Sequence, residues 1–250
     1  MKAILGRAGR GALRRFADSR PLIAFDFDGT LAPIVSRPDR AAMRAATRDL
    51  LQAVARRYPC AVISGRGRDD VRRRLGGVAP IEVIGNHGIE SRQMSTRRDR
   101  RVRDWARRLT AGLAGVPCVR LEDKGYSLSV HLRGCREQPR VRDEVARLAS
   151  SLDGVRVIDG KQVLNLVPLG APTKGHALET ARVSRGLDSA IYVGDDETDE
   201  DVFALGRPGR LLAIRVGRRR GSLAPYYLGT QAEIDRLLGL LVDLADRLWP

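Results

Sequence analysis

The stretch FDFDGT carries two carboxylates two residues apart, Asp26 and Asp28, directly after the apolar run Leu22, Ile23 and Ala24. In an extended strand, residues i and i+2 point to the same side. A buried carboxylate without a partner is costly, and neither has a cation within its own run. A divalent metal is the natural neutraliser, because a hard cation takes oxygen ligands. Gly29 permits a sharp turn, and Thr30 adds a hydroxyl to the loop. A plain turn that uses Asp and Gly well accounts for DGT but not for Asp26. Further polar clusters follow: Ser64 and Arg66 in SGR, Asn86 and His87 in GNHG, Lys174 in PTKG, and Asp195, Asp196 and Asp199 in GDDETDED. Of 45 basic residues only Lys2, Lys124, Lys161 and Lys174 are lysine. Where arginine serves as the generic charge, a retained lysine is informative.

Four of these clusters share one context. LIAF leads into DFDGT, CAVI into SGR, IEVI into GNHG, and AIYV into GDDETDED. Each apolar run has strand length and lacks polar alternation, as expected for strands buried on both faces of a parallel sheet. Helical spacing lies between them, as in Met43, Ala46, Leu50, Leu51 and Val54. Strand–helix alternation implies right-handed βαβ units and an α/β, doubly wound parallel sheet. Ligands bind such sheets at the carboxyl ends of the strands, so Asp26, Ser64, Asn86 and Asp195 are expected to converge.

Residues 92–167 break this pattern. RVRDWARRLTAGLAG reads as a helix, and CVRLEDKGYSLSVHLR as two strands turning at Lys124–Gly125. RVRDEVARLASSL is a second helix, and GVRVIDGKQVLNLVP a second strand pair turning at Asp159–Gly160. The expected organisation is a core of residues 1–91 and 168–250 with an inserted αββαββ cap over 92–167. The amphipathic set Ile234, Leu237, Leu238, Leu241 and Leu248 closes the chain as a helix.

The net charge of +15 raises the prospect of an anionic partner. The arginines are spread along the chain, however, and aromatics make up only 4%, too few for base-stacking platforms. No nucleic-acid partner is expected, and the dense run RRDRRVRDWARR reads as a solvated helix face. No apolar run has the length to cross a membrane. The N-terminal MKAILGRAGRGALRRF lacks the apolar core of a secretory signal and reads as a surface helix. Cys60, Cys118 and Cys135 are odd in number and lack metal-ligand spacing. They read as free thiols of a reducing, cytoplasmic compartment.

DFDGT, SGR, PTKG and GDDETDED, in this order, resemble the motifs of the haloacid dehalogenase-like (HAD) phosphatases. With the αββ-duplicated insert, GNHGIE (85–90) and LEDKGYSLSVHLR (121–133), residues 20–235 resemble the trehalose-6-phosphate phosphatases. The resemblance implies a Rossmann-like HAD core and a Mg2+-dependent phosphatase. Asp26 would be the nucleophile, and Asp28 the acid that protonates the leaving sugar oxygen and then the base that activates water. Lys174 would contact Asp26 and a phosphoryl oxygen, with Thr30 and Ser64 as hydroxyl donors. Metal ligands would be Asp26, the Asp28 carbonyl and Asp195, with Asp196 or Asp199 holding metal-bound water. The acidic run also fits a helix N-terminus, a reading that suits Glu200 and Asp201 better than Asp195.

By the same resemblance the cap reads the sugar as a lid. Glu122 and Lys124 would hydrogen-bond glucose hydroxyls, with Arg66, Asn86 and His87 contacting substrate from the core side. An ordinary cross-turn ion pair is the blander account of Glu122 and Lys124, and His131 reads as structural. The segment NLVP departs from the family's E-[IV]-[RK]-P pattern: Asn165 stands where the family has Glu, and Val167 replaces a basic residue. Asn still bonds a hydroxyl but without charge-assisted strength. A related phosphorylated disaccharide or a glycosyl-phosphoglycerate is therefore the rival substrate. A basic nucleic-acid binder on a phosphatase-like scaffold and a catalytically dead homologue are the rival classes. A trehalose-phosphate synthase acting upstream is the partner implied.

Overall fold

Apolar runs become strands wherever they can be covered on both faces. The computed structural model describes residues 1–91, 99–160, 162–206 and 208–249. It forms two units, Met1–Arg92 with Pro172–Pro250, and Gln93–Ala171.

In the first unit the chain runs β1 (Lys2–Ala3), α1 (Arg7–Asp18), β2 (Leu22–Phe25), α2 (Ala45–Arg57), β3 (Cys60–Ile63), α3 (Arg68–Arg74) and β4 (Glu82–Ile84). The second unit supplies α4 (Arg100–Gly112), β5 (Arg120–Asp123), β6 (Leu128–His131), α5 (Gln138–Ser150), β7 (Val155–Gly160) and β8 (Val163–Pro168). The first unit then resumes with α6 (Lys174–Val183), β9 (Ala190–Gly194), α7 (Glu200–Phe203), β10 (Leu211–Val216), β11 (Tyr226–Leu228) and α8 (Ile234–Leu248).

Its seven strands form one parallel sheet in the order β1-β11-β10-β9-β2-β3-β4. Successive strands lead outward from β2 to β4. After the insert the chain re-enters as β9 on the other side of β2 and leads outward again. The order therefore reverses at β2 and β9, the position where open α/β sheets bind ligands. Strand alternation splits the core. Ile23, Phe25, Val62, Ile191, Val193 and Ile214 face the layer that includes Leu13, Leu51, Val54, Leu237 and Leu241. Leu22, Ala24, Ile63 and Tyr192 face Leu178, Ala181 and Phe203. The N-terminal segment does more than cover the surface, for Ala12, Leu13 and Ala17 of α1 are buried in that first layer.

The second unit is an antiparallel sheet, β5-β6-β8-β7, with α4 and α5 packed on it. Leu128, Val130, Leu164 and Leu166 meet Val102, Trp105, Leu109 and Val145 on one face. The first turn falls where the sequence places it, with Gly125 at φ 83°. The second does not: β7 continues through Gly160 and pairs it with Val163. Asp159 and Gly160 therefore belong to the strand, and Gln162 takes the left-handed conformation at φ 59°. The expectation of three free thiols is also corrected. Cys118 and Cys135 form a disulfide and Cys60 stays free and buried. The bond ties the segment before β5 to the segment after β6, across the base of their hairpin.

Candidate active site

Four loops leave the carboxyl ends of neighbouring strands β9, β2, β3 and β4, and each carries a motif residue. Asp26 follows β2, and its N–H donates to the Val193 carbonyl of β9 at 2.9 Å. Ser64 follows β3, and its N–H donates to the Ile84 carbonyl of β4 at 2.9 Å. The ladder hydrogen bonds thus carry the register of the sheet into the site.

Asp26, Asp195 and Asp199 are buried, and each offers an oxygen within 4.8 Å of the other two. Lys174, the first residue of α6, is buried among them. Its Nζ donates to Asp26 Oδ1 at 2.8 Å and to Asp199 Oδ1 at 2.7 Å. Thr173 caps that helix, its hydroxyl accepting from the His176 N–H, which fixes where Lys174 begins. Two close approaches depend on glycine. A Cβ at Gly29, at φ 84°, would stand 2.2 Å from Asp195 Oδ2, and one at Gly194 2.3 Å from Asp199 Cγ.

Burial pushes the Asp26 carboxyl well above its ordinary range; Lys174 pulls it back, and Asp199 and Asp195 push it up again. Burial also works against the charge of Lys174, but Asp199 and Asp26 outweigh it and hold the ammonium protonated. Three carboxylates around one ammonium leave an excess of buried negative charge. The all-oxygen donor set suits a hard divalent cation such as Mg2+, so these residues fit a metal.

The remaining acidic residues divide. Asp196 forms a capping box with Asp199: its N–H donates to Asp199 Oδ2 at 2.9 Å, and its side chain accepts from the Asp199 N–H. Asp28 is half-exposed and takes a bidentate grip from Arg66, with Nε 2.5 Å and Nη2 2.7 Å from its two oxygens. Arg66 is itself anchored on Asp70 at 3.0 Å and on the Pro38 carbonyl at 2.9 Å. Thr30 is fully buried, and its hydroxyl has no hydrogen-bond partner among the described residues. Ser64 Oγ accepts from the Arg66 N–H at 3.2 Å.

The GNHG loop is held by backbone bonds from Asn86 N–H to the Arg66 carbonyl and from His87 N–H to the Ser64 carbonyl. Asn86 and His87 both adopt positive φ, 47° and 58°, and the His87 ring packs against Gly65.

In the second unit Glu122, Ser129 and Asn165 stand side by side across β5, β6 and β8. Ser129 Oγ donates to Asn165 Oδ1 at 2.6 Å, and the His131 ring bonds Glu122 at 2.7 Å. The His131 hydrogen bond, with the nearby Lys124 and Arg120 charges, holds the Glu122 carboxyl below its usual range against partial burial.

Sequence reasoning passed over two residues here. Tyr192, buried in β9, donates its hydroxyl to Asp199 Oδ1 at 2.7 Å. Arg215 of β10 donates to the carbonyls of Asp195 and Asp196 and to Glu200. The signal for Tyr192 was a polar atom inside an apolar strand run. For Arg215 it was a charge at the end of another such run, LLAIRV.

A parallel sheet with a buried carboxylate cluster at its reversal point defines an α/β fold with a candidate metal site at its ligand-binding edge. It matches a phosphatase of the haloalkanoate (HAD) superfamily from Bacteroides thetaiotaomicron with a TM-score of 0.63 at 13% identity, over 90% of this chain and 94% of that one. The crystal structure of a trehalose-6-phosphate phosphatase related protein matches with a TM-score of 0.73 at 26% identity, over 90% and 99% of the two chains. The trehalose-phosphatase family profile matches residues 24–225, and the chain belongs to that family of phosphatases. Trehalose 6-phosphate phosphatase RA3 of Zea mays is 31% identical over 258 residues, covering 91% of this chain and 71% of the relative. The chain spans 65% to 71% of the length of three curated plant relatives it matches.

Proposed function

We propose that the chain is a Mg2+-dependent phosphatase that hydrolyses trehalose 6-phosphate to trehalose and phosphate. The observation that carries this reading is the buried Asp26, held by Lys174 beside Asp195 and Asp199. Unassisted phosphate monoester hydrolysis is extremely slow, so a catalyst must position the reactants and neutralise charge.

Asp26 is stripped of water and anchored through one oxygen, which suits in-line attack on phosphorus. Its carboxylate forms the new P–O bond as the bond from phosphorus to the sugar oxygen breaks, leaving an aspartyl-phosphate. Released from the bidentate Arg66 grip and protonated from solvent, Asp28 gives that proton to the departing sugar oxygen. It then takes one from the water that attacks the aspartyl-phosphate, releasing phosphate and restoring Asp26. Arg66 sets where the Asp28 carboxyl rests between turnovers. Lys174 faces the phosphoryl charge, and Asp199, with both oxygens accepting hydrogen bonds, orients that lysine. Thr30 brings a hydroxyl with no protein partner to satisfy, and Ser64 keeps its own hydroxyl hydrogen available while accepting from Arg66. Both are suited to donate to phosphoryl oxygens.

Mg2+, when held by Asp26, Asp195 and the Asp28 carbonyl with Asp196 and Asp199 behind them, would supply the positive charge the carboxylates lack.

Glu122, Lys124 and Asn165 are assigned to sugar hydroxyls, and Arg66, Asn86 and His87 to the core-side contacts. A site built to bond hydroxyls rejects analogues that lack them. Because Asn165 is a carboxamide already engaged by Ser129, a related phosphorylated disaccharide or a glycosyl-phosphoglycerate is the second reading. A trehalose-phosphate synthase is the expected supplier of substrate, while the Cys118–Cys135 disulfide removes the free-thiol argument for a reducing, cytoplasmic location.

The test is phosphate release with Mg2+ from trehalose 6-phosphate, sucrose 6-phosphate, glucose 6-phosphate and glucosyl-3-phosphoglycerate, with Asp26→Asn and EDTA as blanks. Selective turnover of trehalose 6-phosphate supports the reading. Turnover only of a generic ester moves the substrate elsewhere and keeps the chemistry. Salt-sensitive binding to any DNA duplex, without turnover, would favour the nucleic-acid reading.

A further inference from the structure

Arg215 is a buried guanidinium at the carboxyl end of β10, 6% exposed. In register it stands opposite Gly194, the last residue of β9. The β9 ladder ends there, so the next two carbonyls of the chain, those of Asp195 and Asp196, lie beyond the strand pairing. A buried carbonyl needs a donor, and Arg215 supplies one to that of Asp195; it also reaches the partly buried Asp196 carbonyl, which accepts from the Asp199 N–H at 3.4 Å as well. Nη2 reaches the Asp195 carbonyl at 2.5 Å and Nη1 the Asp196 carbonyl at 3.1 Å.

The charge is balanced locally. Nη1 also donates to Glu200 Oε1 at 3.0 Å, and Glu200 Oε2 accepts from the Leu223 N–H at 2.9 Å. Burying a guanidinium is expensive unless it is paired and its donors are used. Here it is paired, and its planar fork reaches two consecutive carbonyls and a carboxylate, which a point-charge ammonium cannot match. The Asp195 side chain sits directly on the Gly29 α-carbon, with no room for even a methyl group between them. A shift of the 195–196 backbone would therefore displace the carboxylate rather than be absorbed.

We propose that Arg215, held by Glu200, is a positioning residue that fixes the Asp195–Asp196 backbone and so aims the Asp195 carboxylate at the metal position. This inference rests on the metal-dependent reading above. Groups that orient metal ligands from behind are typically worth about 10- to 100-fold in metal affinity.

The experiment is direct Mn2+ binding to the substrate-free protein, followed by electron paramagnetic resonance. Wild type is compared with Arg215→Met, Arg215→Lys and Glu200→Gln, and melting is recorded in EDTA. The expected result is a loss of about 10- to 100-fold in Mn2+ affinity for Arg215→Met. A smaller loss is expected for Glu200→Gln and partial rescue for Arg215→Lys, with the KM for sugar phosphate unchanged. A lower melting temperature with wild-type Mn2+ affinity would make the residue merely structural and overturn the inference. If Arg215→Met does not fold, Arg215→Lys and Glu200→Gln decide by the same criterion. The two readings fail separately. Wild type that binds Mn2+ yet releases no phosphate from any sugar phosphate refutes the proposed function, while the affinity series still judges Arg215.

Discussion

Replacing Asp26 by Asn should stabilise the metal-free protein while abolishing turnover. The ammonium of Lys174 lies 2.8 Å from Asp26. At an effective dielectric of about 20 the attraction is ~6 kcal/mol. Asp195 and Asp199 each present an oxygen within 4.8 Å of Asp26, and two such repulsions sum to ~7 kcal/mol at the same dielectric. The charge terms therefore nearly cancel, and the desolvation of a buried carboxylate remains uncompensated, consistent with a carboxyl raised first of all by burial. An amide keeps the shape and removes that cost, at the expense of a charge-assisted bond to Lys174. The expected net gain is about 1–2 kcal/mol, or roughly 2–8 °C in melting temperature for a chain of this size.

The sign with pH follows from the same shift. The folded-state value of Asp26 lies above the unfolded value of 3.8, so the folded protein holds a proton that the unfolded chain has released. Wild-type stability in EDTA should then fall as pH rises from 3.8 up through the raised folded value. The advantage of Asp26→Asn should be largest above that window and vanish below it. Saturating Mg2+ should reverse the order, since ligand at 100 times its dissociation constant adds about 2.7 kcal/mol to the form that binds it. Differential scanning fluorimetry at several pH values, with EDTA or Mg2+, measures all of this. If Asp26→Asn melts below wild type in EDTA at neutral pH, Lys174 alone satisfies the carboxylates and the argument for a metal from excess charge fails.

Lys174→Met should cost about 3–5 kcal/mol in urea unfolding, because it strands buried carboxylates that were paired, and should remove turnover. Cutting the disulfide with Cys118→Ser should cost about 3 kcal/mol by the loop-entropy estimate for a separation of 17 residues. Thermal melts with and without dithiothreitol check this, and wild type should move to the variant's value on reduction. Burial pushes the Cys60 thiol up to about 12, so iodoacetamide at pH 8 should leave it unmodified in the folded protein, as read by intact mass. Asn165→Glu should shift the relative kcat/KM among the sugar phosphates; unchanged preference would remove Asn165 from the sugar contacts.

The strands that position the site were legible because each couples an apolar run to a polar residue within two or three positions, and the sheet order then places Asp26, Ser64, Asn86 and Asp195 on one edge. What escaped was the pairing of that edge with a second cation. Asp28 carries no sign that Arg66, 38 residues on, will grip both its oxygens. The contact of Lys174 with Asp26, across 148 residues, was legible only through the family resemblance. The Cys118–Cys135 bond was missed for a related reason. An odd count of cysteines does not argue against a pair, since a hairpin with one cysteine before it and one after it brings its own ends together.

β10 was missed at both levels: LLAIRV was not read as a strand, so Arg215 could not be placed. Yet LLAIRV follows the same pattern as LIAF and AIYV, an apolar run that ends on a charge or a loop at the carboxyl edge. A charged residue closing a buried parallel strand has few destinations other than the site that edge supports. The same rule that gathered the acidic motifs, applied to basic residues as well, would have brought Arg215 to the acidic cluster and asked which carbonyls or carboxylates it serves.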